Sequence, residues 1–109
     1  MQMSNETEIL HVIFTCLEEL NKQLPADGKL KCEQDTLLVA EDGKLDSLGI
    51  ITLTVNVEQQ LLSSINVHVS AMDALMEEYD GKHPFYTIGS MAEWIVAQIN
   101  LKKNRMDYD

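Results

Sequence analysis

The sequence predicts one small, mainly α-helical domain. Its 109 residues, 45% of them hydrophobic, suit a single domain with one core. Apolar residues recur with helical spacing near both ends of the chain, after Ile9 and again after Ile88. No internal repeat or low-complexity segment divides the chain. We therefore expect one domain over residues 1–109, with its core at about 5–100 and a polar tail at 101–109.

The first element is an amphipathic helix at about residues 5–24. Asn5, followed by Glu8 three positions later, forms the pattern of a helix cap. Pro25 and Gly28 end the helix. Its apolar stripe consists of Ile9, Ile13, Cys16, Leu17, Leu20 and Leu24. This face is expected to pack on the core.

Residues 25–45 carry turn signals at both ends, in "ADGK" and "EDGK", because Asp-Gly pairs favour turns. Between these turns, Leu37, Leu38 and Val39 are apolar and need a packing partner. Taken locally, "TLLVAEDGKLDSL" also fits a β-hairpin. The local pattern leaves a loop and a hairpin open.

The run at residues 47–62 is ambiguous between strand and helix. Its apolar residues alternate with polar ones from Ile51 to Val57, and β-branched residues favour strands. The length of the run and its Glu58-Gln59-Gln60 end favour a helix. Two helical faces fit the same residues, one made of Leu48, Ile51, Val55 and Leu62, the other of Leu53, Val57 and Leu61. Periodicity alone leaves both structures open.

The last third of the chain predicts two helices separated by a turn and loop at 80–86. Ser70 caps a short helix. Thr87 or Ser90 caps a final helix, and the polar tail from Lys102 is expected to fray. The short helix carries Met72, Leu75, Met76 and Tyr79, and the final one carries Ile88, Met91, Ile95 and Ile99, with Trp94 and Val96 beside that stripe. The methionines at 72, 76 and 91 are expected in the core.

Charge and composition exclude several classes of protein. A net charge of −10, from 18 acidic and 8 basic side chains, repels phosphate backbones, so nucleic acid is not an expected partner. The same charge attracts proteins with basic surfaces. The sequence has no run of about 18 apolar residues and no signal-peptide pattern, so we expect a cytoplasmic monomer without a membrane span. Cys16 and Cys32 are expected to be reduced thiols in or near the core.

The middle and the end of the chain resemble a known family. The tripeptide Asp-Ser-Leu at 46–48 follows a long helix and a long loop and precedes an apolar run, and "TIGSMAEWIVAQI" resembles that family's closing helix. The arrangement, over about residues 8–99, is similar to that of acyl carrier proteins, including the aminoacyl carriers. The resemblance implies an all-α, four-helix acyl-carrier-type bundle with a long first loop. It therefore implies a helix over residues 47–62.

By this resemblance, the Ser47 hydroxyl would carry 4′-phosphopantetheine from coenzyme A as a phosphodiester. A helix N-terminus offers unbonded N–H groups and the positive end of a dipole, which suit that anion. The terminal thiol of the arm would hold an acyl or aminoacyl group as a thioester. Met72, Met76 and Met91 could then line an adaptable acyl pocket between helices instead of the core. Asp46 would assist the transferase and its magnesium, and Leu48 would turn inward or grip the transferase. The protein would then be a carrier and not an enzyme.

The implied partners are a phosphopantetheinyl transferase and separate enzymes that load and process the acyl or aminoacyl group. Recognition would involve the loop before Ser47 and the helix after it, at Glu41, Asp42, Asp46, Leu48, Ile50, Ile51 and Glu58. Fatty-acid-synthesis carriers usually have several acids on that helix, whereas Glu58 is the one acid between Ser47 and Ala71. Gly49, directly after the tripeptide, is similar to D-alanyl carriers and to some carriers of specialised pathways. We therefore expect a specialised pathway.

Two other interpretations of Ser47 come from the residues alone. Serine is a common helix N-cap, and the chain could be an unmodified helical interaction module in which Ser47 only caps. A catalytic serine is disfavoured, because no GxSxG turn surrounds Ser47 and no histidine (His11, His68 or His83) is placed to serve it. His68 and His83 also lack partners at metal-ligand spacing, so no metal site is expected.

Overall fold

Residues 6–39 and 45–107 form four α-helices joined by loops, which confirms the predicted all-α four-helix fold. The computed structural model describes residues 6–39 and 45–107, the last five by their backbone alone. The elements are α1 (Glu6–Asn21), a 3₁₀ turn (Ala26–Gly28), α2 (Ser47–Ile65), α3 (Ala71–Met76) and α4 (Ile88–Asp107). These described ranges contain no β-strand. None of their helices has the length and apolar character needed to cross a membrane.

The helix α1 buries its predicted stripe from Ile9 to Leu20 but ends at Asn21, three residues earlier than expected, so that Leu24 lies beyond the helix and is half-buried. At this end, the Asn21 side chain makes two hydrogen bonds to the backbone of Leu30. Its Nδ2 donates to Leu30 O at 2.8 Å, and its Oδ1 accepts from Leu30 N at 2.9 Å. Lys29 Nζ donates to the exposed carbonyl oxygens of Asn21 and Leu24. The predicted cap Asn5 lies outside the described residues.

The long first loop packs against the chain that enters α4. Residues 37–39 pair with residues 85–87, and Leu37 and Thr87 form an isolated antiparallel bridge. Two further backbone bonds make this pairing, Leu38 N–H to Tyr86 O at 2.8 Å and Val39 N–H to Phe85 O at 3.0 Å. The hairpin interpretation is therefore wrong, because these residues pair with a distant segment and the chain is already helical at Ser47.

The ambiguous run is a 19-residue helix, α2. Burial on one side decides the structure, since Leu53, Val57 and Leu61 are no more than 1% exposed. Leu48 and Leu62, from the other predicted face, are exposed. The local strand preference is weak compared with this burial, which places α2 against both α1 and α3.

A left-handed residue and two N–H groups end α2. Asn66 adopts φ 57° and ψ 41° and donates its backbone N–H to the end of the helix. Val67 N–H also reaches Leu61 O, at 3.4 Å. The bond from Asn66 N–H to Leu62 O, at 3.1 Å, is that of the αL type of helix end, and asparagine is one of the few non-glycine residues that adopt the left-handed conformation readily.

The two C-terminal helices begin close to the predicted positions. Ser70 precedes α3, but its side chain makes no capping bond. Thr87 caps α4, with a reciprocal pair of bonds in which Thr87 Oγ1 accepts from Ser90 N (3.1 Å) and Ser90 Oγ accepts from Thr87 N (3.0 Å). The polar residues from Lys102 continue α4 as far as Asp107, and their expected fraying stays a prediction. Good helix formers and the absence of glycine or proline after Gly89 favour this continuation.

The core lies between α1, α2 and α4. The largest fully buried side chains are Phe85, Ile9, Ile13, Leu17, Leu53, Leu61, Ile88, Met91, Ile95, Ile99, Val57 and Val69. Met91 is therefore a core residue, as predicted, whereas Met76 is 69% exposed and was wrongly placed in the core. Cys16 is buried, Cys32 is half-buried, and both are free thiols, as predicted.

Candidate functional site

Ser47 is the first residue of α2, and its side chain is exposed. The N-cap is the preceding residue, Asp46, whose Oδ1 accepts the Gly49 N–H at 2.8 Å. The interpretation of Ser47 as the N-cap is therefore wrong. Within the part of the chain that the structure describes, the Ser47 hydroxyl has no hydrogen-bond partner. It is a serine hydroxyl at a helix start that capping does not occupy.

Two backbone N–H groups at the start of α2 have no acceptor among the described residues. The first helical hydrogen bond of α2 runs from Ile50 N–H to Asp46 O at 3.0 Å. The N–H groups of Ser47 and Leu48 precede that bond, and no acceptor for them occurs among residues 6–39 and 45–107. Together with the helix dipole, these groups make a position that favours an anion.

An open apolar cavity of about 330 Å³, here named the Ser47 cavity, begins beside this serine. Its lining has seven apolar residues and two polar ones: Leu38, Val39, Leu45, Asp46, Ser47, Ile50, Ile51, Leu75 and Met76. The volume lies at the lower end of the range of small-molecule pockets, which starts at about 300 Å³. A group attached to a hydroxyl at the edge of an apolar cavity can place its apolar part inside the cavity, away from water.

Three separate elements form the walls of the Ser47 cavity. The first turn of α2 forms one wall, the loop residues Leu38, Val39 and Leu45 form the second, and Leu75 and Met76 at the end of α3 form the third. The loop wall is held by its backbone bonds to residues 85–87. The shape of the cavity therefore depends on segments that are far from Ser47 in the sequence.

The structure brings some of the sequence-predicted residues together at Ser47. Ile50 and Ile51 are half-buried and line the cavity. Leu48 is 71% exposed, so the expectation that it turns inward is wrong. An exposed Leu48 agrees with the alternative, a contact with the transferase, which stays a prediction. Glu41 and Asp42 lie outside the described residues. Their expected role in partner recognition stays a prediction, as does that of Asp46 toward a transferase.

Glu58 has an internal contact that the sequence did not predict. It lies eleven residues after Ser47 on α2, and its Oε2 accepts the Met72 N–H at 2.7 Å. Met72 is the second residue of α3, so Glu58 caps α3 in place of Ser70. Its expected role in partner recognition stays a prediction.

Sequence reasoning missed the other two walls of the cavity. The apolar run Leu37–Val39 signalled a packing partner but not which one. Met76 was expected in the core or, by the resemblance, in a pocket between helices, and the second of these agrees with its place in the cavity wall. These contacts join residues about 10 to 40 positions apart, and no local pattern encodes that distance. A further signal for the α3 wall was the shortness of the predicted helix, because a six-residue helix cannot bury all its apolar side chains.

The described residues offer no assembled machinery for other chemistries. His83 accepts the Phe85 N–H through Nδ1 and contacts Leu75 O through Nε2, so its ring is not free to serve Ser47. Burial, and less strongly Glu19, raise the pKa of the Cys16 thiol to about 11, which keeps it protonated near neutral pH. No cluster of three or more His, Cys, Asp or Glu that could hold a metal occurs in residues 6–39 and 45–107.

Comparisons of the chain with protein-family models, with curated proteins and with solved structures gave no match, so its function is argued from the geometry around Ser47.

Proposed function

We propose that the protein is a carrier that holds an acyl or aminoacyl group on a 4′-phosphopantetheine arm attached to Ser47. The observation that carries the proposal is the exposed Ser47 hydroxyl, which takes no part in capping α2 and lies at the edge of an apolar cavity. A carrier needs a modifiable side chain and a sheltered surface beside it, and this position has both. The order of elements around the Asp-Ser-Leu tripeptide is also similar to that of acyl carriers.

The residues around Ser47 fit a phosphodiester followed by a long, partly apolar arm. Attachment joins Ser47 Oγ to the phosphorus of the 4′-phosphopantetheine group, breaks the pyrophosphate bond of coenzyme A and releases adenosine 3′,5′-bisphosphate together with the hydroxyl proton. The N–H groups of Ser47 and Leu48 offer donors to the phosphate oxygens. The thiol of the arm supplies the thioester chemistry, and the apolar walls shelter the cargo from water.

Asp46 has two roles in this proposal. Its Oδ1 caps α2 and thereby leaves the neighbouring hydroxyl free. Its negative charge also repels the incoming phosphate, and a divalent cation held by the transferase would offset that repulsion. This is the role that the family resemblance implies for Asp46.

The first prediction concerns the modification itself. Incubation of the full chain with coenzyme A, magnesium and a broad-specificity phosphopantetheinyl transferase should add the mass of one phosphopantetheine. Ser47→Ala should abolish the addition, because no other hydroxyl of the described residues combines a helix start with the cavity. Intact-mass spectrometry measures the addition, and peptide mapping locates it.

Ser70→Ala is the matched control. Ser70 is also exposed and also makes no capping bond, and it lies directly before α3, yet it is outside the Ser47 cavity. The Ser70→Ala protein should be modified as efficiently as the wild type. Ser47→Ala should lower the free energy of unfolding by less than about 0.5 kcal/mol, since Asp46 provides the cap. Addition at another serine, or none with several transferases, would refute the carrier.

One observation favours a second candidate, an unmodified helical interaction module. Leu48 and Leu62 are exposed by 71% and 49% on the outer side of α2. Exposed leucines along one helix can mark a protein-binding face. Failure of the modification with a folded protein would favour this function.

A further inference from the structure

We propose that His83 is a proton-sensitive positioning residue that fixes two of the three walls of the Ser47 cavity. The inference rests on the proposed function only for the use of the cavity, because the contacts of His83 exist without any modification. His83 lies in the turn between α3 and α4, 36 positions after Ser47 in the sequence.

The two ring nitrogens of His83 have different and definite roles. Phe85 N–H points at Nδ1 at 2.9 Å, and a backbone N–H can only donate. Leu75 O lies 3.0 Å from Nε2, and a carbonyl oxygen can only accept. Nδ1 is therefore unprotonated and Nε2 carries the hydrogen, so these contacts require the neutral Nε2–H tautomer.

The Nε2 bond holds the α3 wall. Leu75 belongs to the last turn of α3 and lines the cavity together with Met76. Carbonyl groups at a helix C-terminus lack helical partners, and His83 supplies one for Leu75. Because α3 has six residues, side-chain bonds of this kind decide where it ends.

The Nδ1 bond holds the loop wall. It fixes the turn at Phe85, which is 1% exposed, and Tyr86 N–H adds a bond to His83 O at 3.0 Å. The carbonyl groups of this turn then accept from the facing loop, through Val39 N–H to Phe85 O and Leu38 N–H to Tyr86 O. Leu38 and Val39 line the cavity. One imidazole thus connects two walls that no backbone element joins.

Protonation of the ring would break the bond between Nδ1 and the Phe85 N–H. A hydrogen on Nδ1 would face the Phe85 N–H, and two donors cannot share that contact. The Nε2–H bond to Leu75 O would survive, so acid should release the turn and the loop wall first.

The groups that face His83 are mainly aromatic rings. The ring of Tyr79 meets the imidazole edge-on at 4.9 Å, and Phe85 does so at 5.3 Å. The Tyr79 hydroxyl donates to Ala74 O and to Glu77 Oε1, while Lys82 lies over the Tyr86 ring. The remaining charged side chains of these segments, Asp73, Glu78 and Asp80, are exposed. From α4, the packing on this cluster is Trp94 against Phe85.

The test uses the full chain carrying Ser47→Ala, so that its result is independent of any modification. Imidazole ¹⁵N shifts should show the Nε2–H tautomer of His83 at pH 8. As the pH falls, the Leu38 methyl groups and the Met76 methyl group should shift with the same midpoint as His83. Hydrogen-exchange protection of the Phe85 amide should fall roughly tenfold, the worth of one hydrogen bond.

Two substitutions separate the bonds. His83→Asn keeps an acceptor for the N–H two residues later, as in an Asx turn, and removes the bond to Leu75. His83→Gln gives up that local acceptor. Both should abolish the pH-dependent methyl shifts, and His83→Asn alone should retain Phe85 protection. His68→Asn, at an exposed histidine between α2 and α3, is the control and should keep the wild-type pH dependence.

Two results would overturn the proposal. One is an Nδ1–H tautomer at pH 8, and the other is a set of Leu38 and Met76 methyl shifts that stay constant through the His83 titration or persist in both variants. Should the variants fail to fold, the tautomer and the coupled titration of the His68→Asn control still decide. None of these results depends on whether Ser47 accepts phosphopantetheine.

Discussion

At the scale of single residues, the site depends on a division of roles between two neighbours. Asp46 caps α2 with its carboxylate, and Ser47 follows as the first helical residue. A serine in the cap position would direct its hydroxyl at a backbone N–H. Because Ser47 lies one position after the cap, its hydroxyl is exposed and without a partner among the described residues.

Gly49 completes this local arrangement. Its N–H is the donor to Asp46, and a Cβ at this position would lie 3.0 Å from Leu45 Cδ2 and 3.3 Å from Asp46 Oδ1. A larger residue would push against both the cap and a wall of the cavity. The glycine directly after Asp-Ser-Leu therefore has a steric reason in this chain.

Cys16 gives a prediction on pH-dependent stability. Burial raises its pKa from 9.0 to about 11 in the folded protein. Below pH 9 both the folded and the unfolded chain keep the proton, so the stabilisation is complete. Above pH 9 the unfolded chain loses the proton first, and stability is lost as the pH approaches 11. At pH 10.5 this effect should cost about 2 kcal/mol.

Urea unfolding at pH 8 and pH 10.5 measures this effect in the wild type and in Cys16→Ala. The wild type should lose about 2 kcal/mol more than the variant on this change of pH. Comparison between the two proteins removes the contributions of Cys32 and Tyr79, whose pKa values are also raised, mainly by burial. Equal losses in both proteins would contradict the assignment to Cys16.

At the scale of elements, α3 is the segment that depends most on side-chain bonds. It has six residues, too few for a stable isolated helix. Glu58 caps its start through the Met72 N–H, while His83 and Tyr79 donate to Leu75 O and Ala74 O at its end. The helix that forms one wall of the cavity is thus held at both ends by other segments.

Removal of the Glu58 cap should loosen α3. We expect Glu58→Ala to lower the free energy of unfolding by about 1.5 to 3 kcal/mol, because a charged acceptor is lost from a half-buried N–H group. Glu58→Gln retains an acceptor oxygen and should lose less. Amide exchange at Met72 and Leu75, together with chemical denaturation, measures both effects. A Glu58→Ala protein with wild-type exchange at these amides would show that the cap does not hold α3.

At the scale of the whole molecule, charge is distributed unevenly. The chain carries a net charge of −10, yet α2 holds one acid and no base among its 19 residues. That acid, Glu58, is engaged with Met72. The outer side of α2 presents an uncharged stripe of exposed or half-buried residues, Leu48, Thr52, Val55, Gln59 and Leu62. A partner that docks there meets apolar and amide groups first and acids at a distance.

This distribution predicts partner choice, provided that the protein is a carrier. Several exposed charge pairs in one interface set on-rate and selectivity, although each is worth at most about 1 kcal/mol. Enzymes that recognise an acidic helix should therefore dock poorly on α2. We expect slower loading by a fatty-acid malonyl transferase than for a typical fatty-acid carrier, and a weaker salt dependence.

The loading rates of the two holo carriers across a salt series measure this effect. Thr52→Glu and Gln59→Glu together add two acids on the outer side of α2 and should increase both the rate and its salt dependence. Ala97→Glu with Leu101→Glu, at exposed positions of α4, is the control that changes the net charge by the same amount away from α2. Equal rates and equal salt dependence for the two carriers would remove the support for dedicated partners.

The sequence by itself determined the helices at both ends. The apolar spacing of residues 9–20 and of residues 88–99 is strong enough to predict α1 and α4, and their stripes are buried as expected. Thr87 was one of two predicted caps, with Ser90, and its capping bond to Ser90 N acts within three residues. The Asp-Ser-Leu tripeptide likewise pointed to Ser47 and to a helix start. All these features depend on interactions within a few positions of the chain.

Only the tertiary structure decided the state of α2, the walls of the Ser47 cavity and the contacts of Glu58 and His83. Local preference favoured a strand at 51–57, and burial against α1 and α3 overrode it. Met76, Glu58 and His83 have neighbours that are about 8 to 30 positions away. Such contacts arise when helices pack, and packing depends on the free energy of the whole core, which no short stretch of sequence contains.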